Sequence, residues 1–310
     1  MLLMEVFKPI PITPNFYQLG TPFFPVYLSV GDDAMIIEGG TGGTFNIIVN
    51  QIESLGIDPE RIKYIALTHT HADHVGAIPR LRAIWPHLQV VAGEKAPKFL
   101  GNEKIIKQFI SMDKAIAGIM EEKGEISQIP KTLDQYIFPV DKIVKEGDTV
   151  ELGKGVCWTA YTAPGHSPCH IAWREEGEEI LAIGDTMGFY SPEEDTFWPN
   201  YFVSLVQYCK SLRKLGNLPA KLVALSHNGV KDGDIRAFFQ KSLSVTEVYH
   251  LEIIVRMSNG DLPEDIAKEK AAWVLKVADH MPYKVMEPMC RLLISHSEAE
   301  AEHPDLSFEL

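Results

Sequence analysis

Residues 63–74 read Lys-Tyr-Ile-Ala-Leu-Thr-His-Thr-His-Ala-Asp-His and constrain this chain more than any other stretch. The first six are apolar or β-favouring, which predicts a buried strand delivering His69 and His71 at its C-terminal end. Val75-Gly76-Ala77-Ile78 then look like the opening of a helix. At such a strand-to-helix junction, His69 and His71 can point to one side of the turn while Asp73 and His74 are carried round to the other. Two neighbouring ligand sets result. One histidine alone would read as a packed or surface residue, but three imidazoles and a carboxylate within six positions read as metal-site chemistry. Neutral imidazole suits zinc, iron and manganese alike, so the residue types do not choose the metal.

Three more candidates each follow a strand-like run: His166 in Ala163-Pro164-Gly165-His166-Ser167, Asp185 in Ile183-Gly184-Asp185-Thr186, and His227 in Leu225-Ser226-His227-Asn228-Gly229. An H-x-H-x-D-H motif followed by Gly-His, Asp and a last His in separate loops resembles the metallo-beta-lactamase fold superfamily, here over about residues 12–230. The resemblance implies an α/β fold, a four-layer αβ/βα sandwich with the site at one edge of two facing sheets. It implies that His69, His71 and His166 hold one ion, that Asp73, His74 and His227 hold a second, and that Asp185 bridges them. Two divalent ions are expected, zinc first, with iron or manganese as alternatives. Such relatives place water or hydroxide between the ions and attack an ester, thioester, lactone, amide or phosphoester. A metal lowers the pKa of bound water from 15.7 to about 7, which agrees with that role. Asp73 is then the catalytic candidate, orienting the nucleophile or shuttling its proton as well as binding metal.

Where many relatives carry an aspartate, the strand Ala34–Gly40 carries Glu38. Its longer side chain could support the ligand histidines from behind, or simply end the strand in solvent. Gly39-Gly40-Thr41-Gly42-Gly43 lacks the Lys-Ser/Thr ending of a phosphate loop and reads as a tight turn near the metal floor. Arg80 and Arg82 could meet an anionic substrate group, though a solvated helix face explains them as well. Cys169-His170 reads as the start of a strand rather than an extra ligand pair. After Asp185 come Phe189, Tyr190, Phe197, Trp198, Tyr201 and Phe202, an expected aromatic wall for substrate. Tyr190, Phe189 and Trp198 are its leading members, with the Tyr190 hydroxyl a candidate donor to a carbonyl oxygen.

A net charge of −13 argues against nucleic acid as a partner, since phosphate binding needs clustered Lys and Arg. The four cysteines show no C-x-x-C pairing, so neither a disulfide framework nor a structural zinc knuckle is expected. Pro9, Pro11 and Pro14 break a start poor in basic residues, and no run of eighteen apolar residues follows. A soluble cytoplasmic protein without membrane attachment is the expectation.

Strands are predicted at about 16–19, 26–30, 34–38, 63–68, 88–92, 156–161, 170–174, 179–183 and 222–226, and helices at about 44–55, 76–84 and 202–215. Two regions lie outside this minimal pattern. Residues 94–145 form a helical insertion, and 231–310 a C-terminal extension with apolar stripes at helical spacing, which pack, dimerise or roof the site. The division is therefore a catalytic domain at 1–230 and a capping helical extension at 231–310. A roofed site favours a small substrate with an apolar part, and resembles superfamily thioesterases that carry C-terminal helices. The reading is a metal-dependent hydrolase of an ester-type bond, a thioester such as an acyl-CoA first, with a homodimer as a second use of the stripes. Two alternatives remain open: a mononuclear iron persulfide dioxygenase or related iron redox member, and a non-catalytic regulator that keeps its metals as a clamp.

Overall fold

Strand runs that are apolar on both faces need cover on both faces, and the chain supplies it by sandwiching two sheets between helices. The computed structural model describes residues 7–133, 136 and 138–310. The first sheet takes Ile10–Thr13 (β1), Phe16–Gly20 (β2), Pro25–Val30 (β3), Ala34–Ile37 (β4), Ile62–Ala66 (β5), Gln89–Gly93 (β6) and Lys142–Val144 (β7) in chain order. Its first four strands pair antiparallel, and the pairs from β4 to β7 are parallel. The second is built from Thr149–Gly153 (β8), Val156–Thr162 (β9), Ile171–Glu175 (β10), Ile180–Gly184 (β11), Leu222–Leu225 (β14) and Val230–Asp232 (β15), in the order β15-β14-β11-β10-β9-β8. Phe189–Ser191 (β12) and Thr196–Trp198 (β13) make a separate hairpin.

Alternation along the strands sorts the core into three clusters. Met35, Ile37, Trp158, Ala160, Ile171 and Trp173 meet between the sheets. Ile36, Ile65 and Val90 face the other way, onto Phe45–Ser54 (α1) and Ile78–Ile84 (α3). On the far side Ala172, Leu181, Ile183 and Val223 pack with Leu205–Gly216 (α6) and Ile235–Ser258 (α7). These are the four layers of an αβ/βα sandwich.

The remaining helices are Ala72–Val75 (α2), Ala96–Leu100 (α4), Glu103–Glu122 (α5), Pro263–Val277 (α8) and Tyr283–Glu300 (α9). Helix α5 is the long element between β6 and β7, and its N-terminus is capped by Asn102, whose Oδ1 accepts from the N–H groups of Lys104 and Ile105. Helix α7 starts with the Asp234 side chain accepting from Ala237 N–H. Helix α9 returns to α6, where Glu300 Oε2 accepts from Ser204 Oγ at 3.0 Å and Val206 N–H at 2.7 Å. Among the described residues no helix is long and apolar enough to cross a membrane.

The helix predicted at 76–84 is broken. Helix α2 already runs over 72–75, and α3 restarts at Ile78, with Pro79 in its first turn where a missing N–H is harmless. The strands β1, β7, β8, β12, β13 and β15 lie outside the predicted set. Each has three to five residues and gains its conformation from pairing rather than from a long apolar run.

Candidate metal centre

All seven candidate ligands lie beyond the C-terminal ends of strands. His69, His71, Asp73 and His74 follow β5, His166 follows β9, Asp185 follows β11, and His227 follows β14. The sheets bring these ends to one edge. His69, His71, His166 and Asp185 gather in one group, and Asp73, His74 and His227 in another, with ligand atoms inside each group within 4.8 Å of one another. In the first group His71 Nδ1 lies 3.0 Å from His69 Nε2 and 2.9 Å from His166 Nε2, and the latter two are 3.2 Å apart. Nitrogens bound tetrahedrally to zinc at about 2.0–2.1 Å would stand about 3.3 Å apart, so this triangle has the size of a ligand face. Asp185 reaches towards both groups, with Oδ2 3.3 Å from His166 Nε2 and 3.6 Å from His74 Nε2, and Oδ1 3.7 Å from His227 Nε2. Asp73 Oδ2 lies 3.5 Å from His74 Nε2 and 3.7 Å from His227 Nε2.

The donor chemistry fits divalent cations. His74 Nε2 and Asp185 Oδ1 are buried without a hydrogen-bond partner, a costly state for polar atoms that an ion would relieve. Burial, reinforced by neighbouring imidazoles, pushes His71 down to about 3 and holds His69 well below the usual histidine range. For His166 burial also wins, against the pull of Asp185. These rings are therefore neutral, the form that ligates metals. Burial opposes charge on His74 too, yet Glu38, Asp73 and Asp185 outweigh it and raise its pKa well above the ordinary value. Around His74 the carboxylates call for positive charge.

Outward-facing nitrogens are engaged from behind. His166 Nδ1 donates to the Asn200 carbonyl at 3.0 Å and His227 Nδ1 to the Phe23 carbonyl at 2.8 Å, which leaves each Nε2 facing the centre. Glu38 is buried rather than ending a strand in solvent. Its Oε2 lies 3.1 Å from His74 Nδ1, while Oε1 accepts from Thr68 Oγ at 2.5 Å. To do this Glu38 adopts a φ of 74°, a left-handed conformation that costs energy for a residue with a side chain.

His170, read above as a strand residue, precedes β10 and serves the centre. Its ring stacks on His69 with centroids 4.9 Å apart, and its Nε2 accepts from the backbone N–H of Asp185 at 3.1 Å. The other ring nitrogen, Nδ1, lies 3.3 Å from Thr186 Oγ, whose own proton goes to the Ile183 carbonyl. The spacing of His170 from His166 carried no sign of this role.

A cavity of about 800 Å³ opens on the two groups, with His71, Asp73, His166, Asp185 and His227 in its floor. Phe189, Trp198 and Phe202 form one wall, Phe109, Met112 and Ile119 of α5 a second, and Met281, Val285 and Met289 a third around the start of α9. Tyr190 is removed from the expected wall. It neighbours Phe189 on β12, so it points the opposite way, packs on Phe197 and Phe238, and donates its hydroxyl to Asp195 at 2.8 Å. Arg80 and Arg82 are not in the lining either. Arg80 donates to the Lys131 carbonyl and Arg82 pairs with Asp141, so both tie α3 to the segment between α5 and β7.

The model of the metallo-beta-lactamase superfamily matches residues 25–227. A metallo-beta-lactamase fold-containing protein of Sulfurisphaera tokodaii is 26% identical over 214 residues, 68% of this chain and 76% of that one. Its solved structure superposes with a TM-score of 0.55 at 20% identity, covering 75% of this chain and 87% of that chain. An N-acyl homoserine lactonase of Agrobacterium fabrum is 26% identical over 252 residues, 73% of this chain and 87% of the lactonase. A hydroxyacylglutathione hydrolase of Crocosphaera subtropica is 33% identical over 147 residues, which span 45% of this chain and 40% of that enzyme.

Proposed function

The chain belongs to the metallo-beta-lactamase superfamily, and from that premise we propose that it is a metal-dependent hydrolase of ester-type bonds, with a thioester of an apolar acyl group as its leading substrate. The observation that carries this reading is the seven-residue His/Asp cluster, five members of which form the polar floor of an otherwise apolar cavity. In this reading His69, His71 and His166 hold one ion, Asp73, His74 and His227 the other, and Asp185 spans them. Divalent ions in these positions would supply the acidity that makes water a nucleophile near neutral pH and the positive charge that polarises a carbonyl.

The remaining work falls to the chain's own residues. Asp73 lines the cavity as a carboxylate beside His227, placed to accept a proton from an incoming water and fix its orientation. Phe189, Trp198 and Phe202 exclude bulk water, which strengthens every electrostatic interaction at the floor. Met112, Met281 and Met289 give the opposite side a deformable surface suited to a flexible acyl group. A lactone shares the same carbonyl chemistry, and a lactonase and a hydroxyacylglutathione hydrolase stand among the relatives. We read residues 231–310 as the cap of this site.

The deciding experiment pairs the metal content of anaerobically purified protein with turnover of a panel of thioesters, lactones and phosphodiesters. Near two ions per chain with thioester cleavage is expected. One iron per chain, no hydrolysis and oxygen uptake with a persulfide would overturn the proposal in favour of a dioxygenase.

A further inference from the structure

Helix α5 turns different residues to two surroundings. Phe109, Met112 and Ile119 face the cavity, while Asp113 and Met120 press onto the glycine-rich segment that follows β4. That segment was read above as a tight turn, and it is also the seat of the insertion. Asp113 is buried in an otherwise apolar helix face with Ile106, Ile116, Ala117 and Met120. Its Oδ1 accepts from Gly42 N–H at 2.6 Å. A Cβ on Gly42 would fall 2.4 Å from Asp113 Oδ2, and one on Gly76 would fall 2.4 Å from Oδ1. The carboxylate thus fills a notch that exists because both positions are glycine.

The two sides of the notch belong to the metal floor. Gly76 comes two residues after His74, and Gly39 N–H donates to the His74 carbonyl at 2.7 Å. Glu38, next to Gly39, faces the His74 ring. Burying a carboxylate is expensive, and a side chain selected for packing alone would be apolar here. The expense secures a directional tie between the helix that forms a cavity wall and the backbone that carries a ligand. Met112, adjacent in sequence, lines the cavity from the same helix.

We propose that Asp113 is a positioning residue for substrate selection: it fixes the α5 wall relative to the metal floor and thereby sets the length of apolar acyl group that the cavity accepts. This rests on reading the cavity as the substrate site. Loss of the tie lets the wall shift while the ligands stay in place, so the damage belongs in KM and in chain-length preference rather than in metal binding.

The test compares Asp113→Ala, Asp113→Asn and Asp113→Glu with the parent chain. The readouts are kcat and KM for butanoyl to dodecanoyl thioesters, zinc content, and decanoate binding by calorimetry. For Asp113→Ala, KM on the best long-chain substrate should rise about tenfold, the scale of one lost hydrogen bond to a charged group, with zinc retained and kcat little changed. Asp113→Asn keeps an oxygen acceptor and should restore the parent profile, whereas Asp113→Glu should displace the preferred length. An unchanged length profile in both Ala and Glu variants would overturn the proposal, as would zinc loss with a uniform fall in kcat. If Asp113→Ala does not fold, the Glu variant decides by the same criterion. A parent chain that cleaves no thioester sinks the functional reading alone, since weaker decanoate binding in the variants still supports the wall and unchanged binding refutes it.

Discussion

The floor of the cavity is made of loops at strand ends, and what we read as its roof of helices from the insertion and the C-terminal region. On the floor most candidate ligands are held from behind, by Glu38, by the Asn200 and Phe23 carbonyls, and by His170 through the Asp185 backbone. The roof presents thioether, aromatic and branched side chains to the cavity, and Asp113 provides a directional tie between α5 and the floor. Sheet ends are stiff because each strand is fixed by two neighbours and packed on both faces. On the proposed reading, the contrast gives bond cleavage to the strand-end loops and choice of substrate to the helices.

Lesions in the floor and in the roof should therefore leave different signatures. The largest effect is expected from His71→Ala, which should lower turnover by on the order of a thousandfold and reduce metal content, with far-UV circular dichroism unchanged. Full activity in that variant would break the division. Asp185→Asn should cost about ten- to a hundredfold in rate and affinity for the second ion, measured by metal titration. His170→Phe retains a ring against His69 but loses the acceptor for Asp185 N–H, and roughly tenfold weaker metal binding is expected; an unaltered affinity would show that the Asp185 loop holds itself.

Asp113 sharpens the comparison through pH. Burial raises its pKa to about 6, with the Gly42 N–H and Arg80 pulling the other way. A carboxyl raised in the folded state favours folding below its ordinary pKa, and that contribution is lost as pH rises through about 6. Asp113→Asn mimics the neutral form, so its Tm relative to the parent should gain a few degrees between pH 4 and pH 7. A difference that runs the other way would place the ionised form as the stabilising one. The smallest effect is reserved for Tyr190→Phe, which removes a hydroxyl bonded to Asp195 outside the cavity and should change kcat/KM by less than about threefold. A larger loss would return Tyr190 to the substrate wall.

Metal ligation demands particular side chains, which is why His69, His71, Asp73 and His74 could be read as candidate ligands before any fold was known, and the structure brings them together with His166, Asp185 and His227. The buried strands were legible for a similar reason, since runs such as Ile180–Gly184 are apolar throughout. His170 was not, because its role is a hydrogen bond to a backbone N–H fifteen residues away, and any loop can supply such a group. Phe189 and Tyr190 could not be told apart until the hairpin β12–β13 gave them opposite faces. Asp113 lay inside a stripe recognised by its apolar members, Met112 and Ile116, and a stripe records burial without recording what a polar member touches. Gly42 and Gly76 carried the complementary half of that information in separate segments.

The bond from Glu300 to the first turn of α6 bears on how the protein is made. Val203 and Ser204, which lead into that turn, donate their N–H groups to the Gly165 carbonyl, beside His166. A nascent chain emerges from its N-terminus, so His69, His166 and Asp185 are all outside the ribosome long before residue 300 has been added. The carboxylate that closes α6 arrives after every candidate ligand, and the loop of His166 acquires this restraint only once residue 300 has left the ribosome.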